Sequence, residues 1–282
     1  MNVFDLFDFD EIIQVMDIGA SAIGKTPIYK GLLDKKIAHL TAFDGDERQI
    51  QLMKDLYGAD SVSIHNHFVF DGGKHNIYLC KPKSGMTSLF KPKSDALAFF
   101  NGFPGFGEVQ EIDEVQTTRL DDVDGINPPD FLKMDIQGAE LGVLQNGTET
   151  LKDCLAMQLE VSYFPIYEDQ PSFGEIDICL RDRGFVPHRF IDVKRWSIAP
   201  TIFKGNFRHP GNQLLESDII YIKDPLKLDN IDATQLQKLA ILAHYAFGSV
   251  DLCAWFIIEM EKRGLLDENS RAKYLRNVGN FT

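Results

Sequence analysis

The chain is poor in positive charge. It has 29 lysines and arginines against 42 aspartates and glutamates, a formal net charge of −13 over 282 residues. That surplus repels phosphate backbones at long range, which argues against a nucleic-acid substrate. Cysteine is scarce as well: Cys80, Cys154, Cys179 and Cys253 stand far apart, with no C-x-x-C pair. The spacing excludes a zinc knuckle or a disulfide framework and implies buried thiols in a reducing compartment. No apolar run approaches the roughly 20 residues that span a bilayer, so no membrane partner is expected. Residues 1–14 are acidic and lack the basic region and apolar stretch of a secretion signal. Together these absences point to a cytoplasmic protein. The 44% hydrophobic content, by contrast, is ample for a packed core and excludes intrinsic disorder.

Short apolar runs alternate with longer mixed stretches, the pattern of a parallel sheet covered by helices on both faces. Strands are predicted at 12–16, 38–43, 62–70, 131–134 and 155–159, with two more around 184–186 and 218–222, the last a candidate antiparallel strand. Helices are expected over 47–57 and 139–146, the second stopped by Gly147. The fold class predicted is α/β, a doubly wound, mostly parallel, seven-stranded sheet. Two segments fall outside the alternation. One is a long polar stretch around Lys81–Lys93, expected to be a mobile lid hinged at Gly85 that closes over the substrate. The other is a helical tail after Pro225, in which 250–260 is apolar nearly all round. A helix that apolar must be buried on the core or on a second subunit, which leaves a homodimer through the C-terminal helices open. The domain division read from this is 1–224 for the core and 225–282 for a helical extension.

The chemistry is carried by four carboxylates, Asp17, Asp44, Asp135 and Glu160, each at the carboxyl end of a predicted strand. Ligands of open α/β sheets bind in the crevice outside those ends. Gly19 to Gly24 reads Gly-Ala-Ser-Ala-Ile-Gly, one substitution from the dinucleotide fingerprint, and Asp44 follows Gly24 by twenty residues, the place of a ribose-binding acid. Ser21 replaces the glycine that would let the backbone approach a pyrophosphate, and Asp17 puts a negative charge where that group would sit. A ligand with a ribose, no phosphate, a positive amine and a sulfonium suits such a loop better. S-adenosylmethionine is one. An NAD-dependent oxidoreductase is the alternative that the loop suggests, and a non-catalytic binding module on the same fold is another.

At these residues the chain resembles the FkbM family of methyltransferases. Val15-Met16-Asp17-Ile18-Gly19-Ala20 looks like the family's first motif, and Ala42-Phe43-Asp44 resembles its Ala-Phe-Glu-Pro segment. Leu120-Asp121, followed by Lys133-Met134-Asp135-Ile136-Gln137-Gly138-Ala139-Glu140, resembles its Leu-Asp and Lys-Ile-Asp-Val-Glu-Gly-Ala-Glu. Leu159-Glu160-Val161, Pro165-Ile166-Tyr167-Glu168 and Gln213-Leu214-Leu215 fit as well, so the likeness runs over about 12–223. Gln137 stands where a glutamate is common, Asp44-Gly45 replaces Glu-Pro, and the first loop is one residue longer than usual.

The resemblance implies a class I, Rossmann-like methyltransferase that uses S-adenosylmethionine on a hydroxyl of a small molecule such as a sugar or polyketide. It implies that Asp17, Gly19, Ala20 and Ser21 hold the methionine portion. Asp44, with Gly45 after it, would bind the ribose, and Asn66 would line the adenine pocket. Asp135 would face the methionine portion or the reacting centre. The two catalytic candidates are Glu160, read as the general base, and Asp135. His65 and His67 share one strand face but have no identifiable third ligand, so no metal site is assigned. Asp121 and Asp122 read as turn or cap residues.

Overall fold

The computed structural model describes residues 6–7, 9–20, 26–45, 51–54, 62–82 and 84–279. Its main sheet joins β1 (Ile13–Ile18), β2 (Ala38–Asp44), β3 (Val62–Asn66), β7 (Phe131–Met134), β8 (Ala156–Ser162), β9 (Phe185–Trp196) and β10 (Gln213–Lys223). The order is β3-β2-β1-β7-β8-β10-β9. β10 is antiparallel to both its neighbours, and the other pairs are parallel. This is the doubly wound, seven-stranded, mostly parallel sheet that the sequence implies. The chain walks outward from β1 to β3, then returns to β7 on the other side, so the order reverses between β1 and β7. A ligand crevice belongs there.

Both faces of the central strands are apolar because both are covered, and successive residues divide between two cores. Ile13, Val15, Leu40, Ala42, Phe131, Ala156, Ile220 and Ile222 pack on one side with Leu236, Leu239, Phe256, Ile257 and Met260. Met16, Ile18, Leu132, Met134, Met157, Leu159 and Tyr221 face the other, against Val143 and Leu144 of a helix at Glu140–Asn146 and Ile176 and Leu180 of a helix at Phe173–Asp182. The C-terminal helices Ala233–Ile241, Val250–Lys262 and Ser270–Val278 thus complete the first core. That burial on the chain's own sheet explains why 250–260 is apolar nearly all round. Lys238 also reaches the half-buried Asp130 just before β7, at 3.0 Å. Among the described residues no helix is long and apolar enough to cross a membrane.

Three readings of the sequence change. The run 62–70 is two strands: after Asn66, opposite Asp44, β2 has ended and offers no partner. The chain leaves the sheet at His67, and β4 (Phe68–Phe70) joins β6 (Val109–Arg119), which also pairs with β5 (Lys74–Cys80) in a small second sheet. β9 is much longer than 184–186, because an edge strand with mixed exposure gives no continuous apolar run. The described residues of the Lys81–Lys93 stretch are docked. Ser88 exchanges both main-chain hydrogen bonds with Tyr78, Lys93 N donates to Ile166 O at 2.9 Å, and Glu168 N donates to Lys91 O at 2.8 Å. Met86 is buried with Leu97, Phe100, Phe103, Ile166 and Tyr167 in a third core beyond the ends of β8 and β9.

Candidate active site

Asp17, next to last in β1, is in register with Lys133 of β7, which is in turn in register with Gln158 of β8. Both oxygens of the nearly sealed Asp17 carboxylate have partners. Tyr29 donates its hydroxyl to Oδ2 at 2.5 Å, and Lys133 Nζ donates to Oδ1 at 3.1 Å. Burial alone would lower the Lys133 pKa, but Asp17, Asp135 and Asp218 outweigh it and hold the ammonium above its usual range. Two residues on, the chain turns through Gly19 with φ +79°. A Cβ there would lie 2.2 Å from the main-chain oxygen of Asp135, so only glycine lets the β1 and β7 ends close together. The Gly19 and Ala20 amides both donate to Phe43 O at 3.0 Å. Ser21 and Gly24 lie outside the described residues.

Asp44 and Asn66 stand side by side at the ends of β2 and β3, the first half-buried and the second exposed. The structure places this pair in register, Asp44 opposite Asn66. Gly45 is needed for packing: a Cβ would meet the Phe68 ring at 2.2 Å. Beside them His65 stacks on Phe43 at 5.1 Å, and burial, then His67, lowers its pKa. His67 pairs through Nδ1 with Thr118 Oγ1 at 3.1 Å.

Asp135 and Glu160 are bridged by one side-chain amide. Gln137 Nε2 donates to Asp135 Oδ1 at 3.0 Å and to Glu160 Oε2 at 2.8 Å. The other Glu160 oxygen accepts from Lys194 Nζ at 3.0 Å, and the same ammonium reaches Glu216 at 2.5 Å. Burial, Asp135 and Glu216 push the Glu160 carboxyl well above the ordinary range, against the opposing Lys194. Lys194 is held up in turn: Glu160 and Glu216 outweigh its burial. A carboxylate of raised basicity is suited to take a proton. The turn that presents Gln137 is clamped by Glu140, whose oxygens accept from Ile136 N at 2.9 Å and Gly138 N at 3.0 Å. Its carboxyl is fully buried, which pushes its pKa up to about 7.

Tyr29, Lys133, Gln137, Lys194 and Glu216 were not picked out as site residues from sequence. Lys133 and Gln137 lie inside the quoted motif and were visible there. Lys194 and Glu216 become visible only when β9 and β10 are drawn to full length, which places them opposite one another. Asp121 is the cap residue expected, accepting from the amides of Glu149 and Thr150 at 3.1 and 2.8 Å.

No curated protein matches the chain. Among solved structures it is similar to a magnesium protoporphyrin IX methyltransferase from Synechocystis with bound SAM, at 10% identity and a TM-score of 0.37, over 76% of this chain and 71% of that one. It is also similar to a TehB-like SAM-dependent methyltransferase from Corynebacterium glutamicum, at 11% identity and a TM-score of 0.35, over 79% and 85%. The model of the methyltransferase FkbM domain matches residues 34–187, more than half of the 282. The chain therefore belongs to the methyltransferase FkbM domain family.

Proposed function

We propose that this protein transfers a methyl group from S-adenosylmethionine to a hydroxyl oxygen of a small molecule such as a sugar or polyketide. The observation that carries the reading is the joining of Asp135 and Glu160 through Gln137 at the β7 and β8 side of the point where strand order reverses, with Asp44 and Asn66 in register at the ends of β2 and β3. The residues fit such a methyl donor. The first turn has no room for a Cβ, and its surroundings are rich in carboxylates, which suit a cationic ligand and oppose a pyrophosphate. Asp44 would accept the two ribose hydroxyls, and Asn66 would line the adenine side. Gly19 and Ala20, with Ser21 next in sequence, would carry the methionine portion. Asp17 contributes chiefly through Tyr29 and Lys133, which tie the first turn to β7.

S-adenosylmethionine supplies a methyl group on a sulfonium, which leaves as a neutral thioether when oxygen takes the methyl in line. The protein's task is then to position two reactants and to accept one proton. Glu160 is the proposed base: it takes the hydroxyl proton as the oxygen–carbon bond forms. Asp135 keeps to the donor side, and Lys194 holds the Glu160 carboxylate from behind. Calorimetry with S-adenosylmethionine, its demethylated product and NAD tests the reading, together with transfer of labelled methyl to a panel of hydroxyl acceptors. Binding of the first two and methyl transfer to oxygen are expected. Tight binding of NAD in their place would overturn it.

A further inference from the structure

Gln137 is the residue on which the carboxylate cluster closes. Its φ of +56° lies in the left-handed region, which residues with a Cβ seldom occupy. Contacts on three sides hold it there. Glu140 grips the amides of Ile136 and Gly138 on either side, and Ser88 Oγ donates to Gln137 O at 2.7 Å. The turn aims the side-chain amide between the two acids, and Tyr167 donates its hydroxyl to the amide oxygen at 2.9 Å. Both amide hydrogens thus go to carboxylates and the oxygen goes to a phenol. The reverse orientation would turn an oxygen against two others.

Two carboxylates this close repel, and ordinarily a shared proton or a cation relieves them. Here a neutral donor stands in that place. A carboxylate at this position, the residue common in the family, would put its oxygen within hydrogen-bonding distance of two more. The other charged and titratable groups around the pair are Glu216 and Asp218 of β10, Lys194 of β9, Lys133 of β7, Tyr167 after β8 and Glu140.

We propose that Gln137 is a positioning residue for proton transfer: its amide replaces the proton or cation that Asp135 and Glu160 would otherwise share, and so leaves Glu160 free to accept the proton of the hydroxyl substrate. The proposal rests on the methyl-transfer reading above.

Two variants of the full chain test it. Gln137→Leu keeps the bulk and removes both donors, which favour the ionised acids. The acidic limb of its kcat/KM profile for methyl transfer is expected about one pH unit higher, with turnover largely recovered on the alkaline side. A uniform loss at every pH, with the limb unmoved, overturns the proposal. Gln137→Glu needs no turnover to be read. Its third acid must hold a proton in the folded state, so its folded pKa exceeds the unfolded value of about 4.3. Stability is then lost as pH climbs from that value toward the folded one. The melting temperature of Gln137→Glu should stay near that of the unaltered chain at pH 5 and fall behind it progressively to pH 8. Magnesium chloride should raise it at pH 8 in the variant alone. A melting difference independent of pH would overturn the proposal by itself. Absence of methyl transfer in the unaltered chain would sink the functional reading instead, since the melting series measures the Gln137 contact without it.

Discussion

Replacing Lys133 by Met tests the idea that the floor of the site is a buried ion pair and not a set of independent side chains. Lys133 is largely buried and donates to Asp17 at 3.1 Å, with Asp135 and Asp218 also close enough to hold its charge. Methionine fills a similar volume, so the cost comes from carboxylates left without a cation. Removing one partner of a buried pair costs about 3–5 kcal/mol. Asp17 keeps its hydrogen bond from Tyr29, which places the expected loss near the lower end of that range. Both chains lose stability as pH rises, but in different windows. In the unaltered protein the Lys133 pKa is raised, so its contribution is complete below about pH 10.4 and fades only above it. In Lys133→Met the uncompensated acids acquire raised pKa values, so stability drops as pH rises from about 4 toward those values. Urea unfolding followed by fluorescence from pH 5 to 8 measures both. The double variant Asp17→Asn/Lys133→Met should recover at least about 1 kcal/mol relative to the sum of the single losses. A single loss below about 1 kcal/mol, unchanged from pH 5 to 8, would refute the reasoning.

Other substitutions probe separate parts of the account. Gly19→Ala places a Cβ where only 2.2 Å separates it from Asp135 O, so reduced stability and weakened S-adenosylmethionine binding should appear together in melting and calorimetry. Asp44→Ala should lose about 2–3 kcal/mol of cofactor affinity through two missing charge-assisted hydrogen bonds, with little change in melting temperature. We propose residues 1–224 as the methyltransferase core and 225–282 as its helical extension. Truncation after Asp224 uncovers Leu40, Ile220 and Ile222 and leaves Asp130 without Lys238, so aggregation on light scattering is the expected result.

The parts of the fold that were legible are those where one local signal decides the outcome. β7 is an apolar run closed by Asp135, and the structure draws its bounds at Phe131–Met134 as read. The helix at Glu140–Asn146 ends at Gly147, as its composition says. What depends on distant partners was not legible. Nothing in the local pattern marks His67 as the point where the chain changes sheets, because that is set by where β2 ends and β6 begins. The Lys81–Lys93 stretch reads as a loose lid from its prolines, lysines and glycine, yet Met86 and Ser88 are buried against residues 166–167 and Gln137. At the site, acids closing apolar runs stood out because they are conspicuous, although β8 continues past Glu160 to Ser162 and places that acid inside the strand. Gln137 did not, since its role arises from Glu160, 23 residues away, and Tyr167, 30 away.

The most direct measurement of the central claim is methyl transfer by Glu160→Gln, with S-adenosylmethionine affinity measured on the same sample. The amide keeps the shape of the side chain and removes the proton acceptor. Turnover to a hydroxyl acceptor is expected to fall by about 10²–10⁴ while cofactor affinity stays within about threefold. Near-normal turnover in Glu160→Gln, at unchanged cofactor affinity, would contradict the assignment of Glu160 as the base.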